Sequence, residues 1–139
     1  MDAEAFAKVW NQFSKEMKMY MDKHLAPLTE SQLTVLEFLL TRKDERNKAS
    51  DLLQILATTP AAVTTLLDRM EKNGLIQRQR DEKDRRIVWI LVTDKGKQEG
   101  LRGKSVRNHF IQSRLNRISE HNQKLLLFLL KKMTSSDAE

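Results

Sequence analysis

From residue 2 to about residue 24 the large apolar positions recur at helical spacing. Phe6, Val9, Trp10, Phe13, Met17 and Met21 form one wide stripe, with Lys8, Lys15, Lys18 and Lys23 off it. Pro27 closes that helix. A second opens at Thr29, where Gln32 completes a capping-box pattern and Leu33, Leu36, Phe38, Leu39 and Leu40 supply a broad buried face. Residues 42–48 are charged and read as a solvated loop. A short helix over 48–57 then turns Leu52, Leu53 and Leu56 inward. Thr58-Thr59-Pro60 breaks and restarts the chain. Thr59 suits an N-cap, and Pro60 suits the first helical position, whose N–H has no helical partner. The restarted helix runs to about Asn73 and stops at Gly74. Two helices joined by so tight a turn predict a helix-turn-helix.

Beyond Gly74 the period changes. Residues 75–80 and the β-branched and aromatic run at 87–92 read as strands, and the polar stretch 81–86 reads as the tip joining them. A hairpin directly after a helix-turn-helix is a wing. Thr93 caps a long helix reaching toward Arg117, which Gly96, Gly100 and Gly103 weaken locally. Ser119 caps a last helix through 125–130 to about Met133, and residues 134–139 read as a frayed tail. The predicted fold is mainly α with a small β-hairpin wing. Residues 1–139 form one protomer, with a winged helix-turn-helix lobe at 29–93 and helical segments at 1–26 and 101–134.

Composition narrows the function. The chain has 139 residues, and its longest apolar runs fall far short of the ~20 residues of a membrane-spanning helix. Asp2 and Glu4 precede any large apolar residue, so no secretory signal shape is present. With no cysteine, disulfides, thiolate metal sites and thiol-based sensing are excluded together. A cytoplasmic protein without membrane partners is the expectation. The formal charge is +6, and residues 101–139 carry 8 basic against 3 acidic side chains. Such a balance favours an acidic partner such as nucleic acid. The run Arg102, Lys104, Arg107, Arg114 and Arg117 either faces that partner or pairs with acids elsewhere.

A helical wheel over 60–73 puts Val63, Leu66, Leu67 and Met70 on one side. Ala61, Thr64, Thr65, Asp68 and Lys72 lie opposite, with Ala62 and Arg69 on a flank. Small side chains permit close approach, and alanine and threonine methyls can meet a thymine methyl in the major groove. The helix N-terminus with the Thr58 and Thr59 hydroxyls suits a phosphate oxygen, and Arg69 reaches a base edge or a phosphate. The plainer alternative is an ordinary solvated face with a local Asp68–Arg69 charge pair. In the wing, Arg85 and Arg86 are the candidates for a narrow minor groove, Arg86 the preferred one. Lys83, Arg78 and Arg80 are candidate phosphate partners. Asp84 repels phosphate and instead orients an arginine.

These residues resemble the MarR (multiple antibiotic resistance regulator) family of winged helix-turn-helix regulators. The likeness runs from Ser50 to Gly96: S-D-L-L-Q-I-L, T-P-A-A-V-T-T-L-L-D-R-M-E-K-N-G-L-I-Q-R, D-E-K-D-R-R and V-T-D-K-G. It is most specific where V-T-x-L-x-D-R-x-E-x-x-G-L-I-x-R joins the D-R-R of residues 84–86. Val92 departs from the leucine that commonly precedes the threonine here numbered Thr93. The resemblance implies a homodimer with interlocked N- and C-terminal helices. It also implies a pseudo-palindromic double-stranded DNA operator, usually a repressor role, and in some members release by a small-molecule effector. No cofactor is implied, and the effector's identity stays open. The apolar pattern points to the dimer separately: Phe6, Trp10, Phe13 and Met17, with Leu125, Leu126, Phe128 and Leu129, exceed what a small core needs. Alternatively they complete the protomer's own core.

Two rival readings remain. An enzyme would need a phosphate loop, nucleophile elbow or metal-binding helix, and none is present; His24, His109 and His121 lack ligand spacing. A winged helix that contacts protein, or binds nucleic acid nonspecifically, needs neither a basic tip nor a small uncharged recognition face. An effector pocket, if formed, would draw on Trp10, Phe13, Met17 and the second helix.

Overall fold

The second helix carries the densest apolar pattern, and the rest of the chain is arranged around it. The computed structural model describes residues 2–42 and 46–134. Its elements run α1 (Ala3–His24), α2 (Glu30–Thr41), α3 (Ala49–Leu56), α4 (Pro60–Lys72), β1 (Ile76–Arg80), β2 (Val88–Val92), α5 (Asp94–Leu115) and α6 (Glu120–Thr134). Helices, hairpin and boundaries lie close to those the pattern predicts. The Thr29 hydroxyl accepts from the Gln32 N–H and the Gln32 side chain accepts from the Thr29 N–H, each at 3.2 Å, completing the capping box of α2.

Because α2 packs on α5 at one side and on α3, α4 and β2 at the other, it is buried on more than one face. Leu33, Leu36 and Leu39 are inside as expected. Val35 is also fully buried, whereas Phe38 and Leu40 stay half-buried at the edge. The stripe of α1 enters the core at only one point. Of its members only Met21 enters the core, joined by Leu25 and Leu28 beyond the helix end. Phe6, Val9 and Trp10 are exposed.

The loop expected at 42–48 is not simply solvated. Residues 43–45 lie outside the described residues, but Asn47 is buried and its carbonyl accepts from the Ile90 N–H at 2.8 Å. An open β2 edge would leave backbone donors unpaired, and this bridge supplies the partner. Of the expected frayed tail, residues 135–139 likewise lie outside the described residues.

β1 and β2 pair antiparallel, with Ile76 opposite Val92 and Arg80 opposite Val88. Gly74 ends α4 with φ of 76°, a left-handed conformation suited to glycine. Thr93 joins the hairpin to α5: its hydroxyl donates to the Gly74 carbonyl and accepts from the Gly96 N–H at 3.0 Å.

The three glycines of α5 are its contact face rather than weak points. All are buried. A Cβ on Gly96 would strike the Leu75 carbonyl oxygen. One on Gly100 would meet Leu40 Cδ1 at 2.7 Å, and one on Gly103 would meet Leu33 Cδ1 at 2.5 Å. The basic run of α5 is largely used within the fold. Arg107 binds Glu37 of α2 at 2.6 and 2.8 Å. Arg102 pairs with Glu99 and donates to the His24 and Leu25 carbonyls that end α1. Arg114 lies 3.8 Å from Glu16.

Two stability predictions follow from this packing. Gly96→Ala should cost about 1–3 kcal/mol, because the Thr93 N–H holds the Leu75 carbonyl in place at 3.2 Å. Gly100→Ala meets only a movable methyl and gains about 1 kcal/mol of helix propensity, so its thermal midpoint should be clearly the higher. Equal midpoints would exclude the backbone contact as the obstacle. At Ala57, where φ is 48° between α3 and α4, glycine should raise stability by about 0.5–1 kcal/mol in urea unfolding.

Candidate nucleic-acid interface

Helix α4 is seated by Val63, Leu67 and Met70, which are buried, and by half-buried Leu66. Its opposite face exposes Ala61, Ala62, Thr64, Thr65, Asp68, Arg69 and Lys72, as the wheel predicts. Thr59 caps the helix, its hydroxyl oxygen accepting from the Ala62 N–H at 3.2 Å. Thr64 and Thr65 donate their hydroxyl hydrogens back to the Pro60 and Ala61 carbonyls, each at 3.1 Å. What they turn outward is therefore methyl groups and acceptor lone pairs. Thr58 is exposed in the turn before the cap.

The charge pairing on this helix differs from the local Asp68–Arg69 pair considered above. Asp68 binds Arg78 of β1 at 2.7 Å, and Glu71 accepts from both the Arg78 guanidinium and its backbone N–H, at 3.1 and 2.9 Å. Arg78 thus ties helix to hairpin. The Arg78 side chain and its N–H hold the Glu71 carboxyl below the usual carboxylate range, and Glu71 then Asp68 raise the Arg78 guanidinium. Arg69 and Lys72 have no ion-pair partner among the described residues.

In the wing the strands are closed by Asp81 N–H to Ile87 carbonyl and Ile87 N–H to Asp84 carbonyl bonds at 2.9 and 3.0 Å. Asp84 grips Arg86: its carboxylate accepts from the Arg86 backbone N–H at 3.1 Å and from the guanidinium at 3.0 and 2.9 Å. These bonds to Arg86 lower the Asp84 carboxyl below its ordinary range and raise the Arg86 guanidinium. The fork of Arg86 is oriented although its side chain is 90% exposed. Arg80 donates to the Arg85 carbonyl at 2.9 Å, while the Arg85 and Lys83 side chains are exposed and have no partner among the described residues. The structure thereby brings Thr58, Thr59, Ala61, Ala62, Thr64, Thr65 and Arg69 onto one exposed helix face. Lys83, Asp84, Arg85 and Arg86 stand at the tip of the hairpin that follows it.

Sequence reasoning missed one group at this tip: Asp81, Trp89 and Arg46. The Trp89 indole N–H donates to Asp81 at 3.0 Å, and the Arg46 guanidinium sits 5.5 Å over the Trp89 ring. No short motif carries it, because the contact depends on the strand register that sets Trp89 opposite Gln79.

The residues assigned to dimerisation are apolar, and all but the half-buried Phe13 and Met17 are exposed. Phe6, Trp10 and Phe13 stack along α1 with centroids 6.2 and 6.5 Å apart, and Phe13 reaches the buried Phe110 at 5.8 Å. Met17 is half-buried against the core. On α6, Leu125, Leu126, Phe128 and Leu129 are 40–54% exposed and no residue is buried, so completion of the protomer's own core is excluded for them. Among the described residues no cluster of histidines and carboxylates is placed to hold a metal ion, and no helix is long and apolar enough to cross a membrane.

The sequence model of the MarR family matches residues 28–88, the lobe just described. The HTH-type transcriptional repressor MdtR of Bacillus subtilis is 34% identical over 88 residues, covering 63% of this chain and 54% of that protein. The chain spans about three fifths of the length of the curated relatives it matches. Among solved structures, YusO of Bacillus subtilis is 26% identical with a TM-score of 0.74, covering 93% of this chain and 89% of YusO. S. aureus MepR in its DNA-binding conformation is 25% identical with a TM-score of 0.72, covering 92% and 95%. The curated relatives are named HTH-type transcriptional regulators or, for MdtR, a repressor. By its sequence match, the lobe at residues 28–88 with its hairpin is similar to the MarR family of winged helix-turn-helix proteins, and the whole chain shares the fold of YusO.

Proposed function

We propose that the protein is a transcriptional repressor that binds double-stranded DNA as a homodimer and reads a pseudo-palindromic operator. The single observation that carries this reading is the pairing of a close-approach helix face with a pre-oriented arginine fork. Ala61, Ala62, Thr64 and Thr65 leave α4 nothing bulky or charged at its N-terminal half, so the helix can enter a major groove and meet base edges. The Arg86 fork, held by Asp84, suits an adjacent narrow minor groove, where negative potential concentrates. Thr58 and the capped start of α4 suit a phosphate, as do Lys83 and Arg85. Relatives support the class of function: MdtR is named a repressor, and MepR is described in a DNA-binding conformation and in a complex with an oligodeoxyribonucleotide.

The homodimer is supported by α6, which offers five consecutive exposed apolar residues from Leu125 to Leu129, and by the uncovered rings of α1. A two-fold axis would set the two α4 helices about one DNA turn, ~34 Å, apart.

Incubation with random duplexes at near-physiological salt should retain an inverted repeat with half-sites one turn apart. Binding without a motif that vanishes as salt rises would reduce the protein to a nonspecific polycation. On a retained duplex, Arg69→Ala and Arg86→Ala should each weaken binding by about 1–3 kcal/mol. Lys83→Ala should instead lower the salt slope by about 1 with little change in sequence preference. Unchanged affinity in both arginine variants would refute the assignment of these sites. Phe128→Glu with Leu125→Glu should convert the dimer to monomer in sedimentation equilibrium, with α-helical signal retained in α2 to α5; a dimer that persists would move the interface elsewhere.

A further inference from the structure

Asp81 accepts from three different residues across the wing. One carboxylate oxygen accepts from the Lys83 and Asp84 backbone N–H groups at 3.0 and 2.9 Å. The other accepts from the Trp89 indole N–H at 3.0 Å and lies 3.7 Å from the Arg46 guanidinium. Its carboxyl is held below the usual range first by the Trp89 N–H, then by Asp84, with burial opposing and Lys83 and Arg46 adding to the depression. Asp84, whose N–H is fixed here, is the residue that grips Arg86. A continuous chain of bonds therefore runs from Arg46 and Trp89 through Asp81 and Asp84 to the Arg86 fork.

An aspartate that binds the two N–H groups after it is ordinary turn chemistry and uses one oxygen. The second oxygen distinguishes this wing. Bound to Trp89, which stands on β2 opposite Gln79 of β1, it stops rotation of the carboxylate and cross-links the tip to the return strand. The tip then cannot hinge as a separate turn. Arg46 covers the outer side of the ring, from the segment before α3, and ties the hairpin to the body of the lobe. A flexible arginine must be ordered before it can occupy a groove, and a fork ordered beforehand avoids that entropy loss on binding.

We propose that Trp89 and Asp81 are positioning residues that hold the wing tip, and through Asp84 the Arg86 fork, in the form that DNA receives. The inference rests on the DNA-binding reading above. Trp89→Phe keeps an aromatic ring beside Arg46 and removes the N–H with the five-membered half of the indole. Asp81→Asn leaves one acceptor oxygen for two sets of donors, and serves as a second variant with the same expected behaviour.

The test measures affinity by fluorescence anisotropy on a labelled duplex that the unaltered full chain retains from the random pool. Variants enter it once their circular dichroism and thermal melting match a folded protein. Each of the two variants should bind about 3- to 10-fold more weakly, the size expected for ordering one long side chain. In an Arg86→Ala background neither should cause further loss, whereas in an Arg69→Ala background the loss should persist in full. A merely structural role would weaken binding equally in all backgrounds, and that result would overturn the inference. So would Trp89→Phe and Asp81→Asn both binding as the unaltered protein does. If the unaltered protein retains no duplex, the DNA-binding reading fails, and the inference with it.

Discussion

The close approach of α5 to its neighbours is the constraint from which the rest of the arrangement follows. Three glycines along one side let the α5 backbone lie against the Leu75 carbonyl, then against Leu40 and Leu33 of α2. The first contact fixes where the hairpin leaves the lobe. The other two fix the angle at which α5 carries the terminal helices away from it. A side chain at Gly96 would press on the fixed Leu75 carbonyl and push α5 away from the hairpin, whereas at Gly100 and Gly103 it would meet leucine methyls that can move. Arg107 on Glu37 and Arg102 on the carbonyls that end α1 then hold the same contact electrostatically.

That arrangement also sorts the charge. A formal +6 spread over a chain says little about where a polyanion would dock. In the structure the arginines nearest the core, 78, 102, 107 and 114, face carboxylates. Among the described residues, the cations left without such partners on the lobe include Arg69, Lys72, Lys83 and Arg85, on α4 and the hairpin. The local field is therefore shaped less by the number of basic residues than by which of them the fold has neutralised.

Much of this was legible in the sequence, for identifiable reasons. The Thr29–Gln32 box, the Thr59-Pro60 restart and the Gly74 stop are local signals, decided within a turn or two of chain, and each forms as read. The solvent face of α4 was legible because its buried stripe is regular. What escaped the sequence depends on distant partners. Arg78 reads as a free cation until the hairpin folds back beside Asp68 and Glu71. The glycines of α5 read as weak helix formers until α2 lies against them. Asn47 reads as loop until β2 needs an edge partner, and Asp81 reads as a solvated turn residue until the register brings Trp89 to it.

The two tryptophans of the chain sit in unlike surroundings. Trp10 is 49% exposed among stacked phenylalanines on α1, far along the chain from the wing. Trp89 is half-buried, with its N–H on a carboxylate and a guanidinium over its ring. The molecule thus carries two intrinsic fluorophores with separate assignments. Covering the first helix shifts the emission of Trp10 toward the blue and leaves Trp89 as it was. Loosening the hairpin exposes the indole of Trp89 to solvent and shifts its emission toward the red. Substituting Trp10 by phenylalanine isolates Trp89, so events at the wing can be followed without an added label.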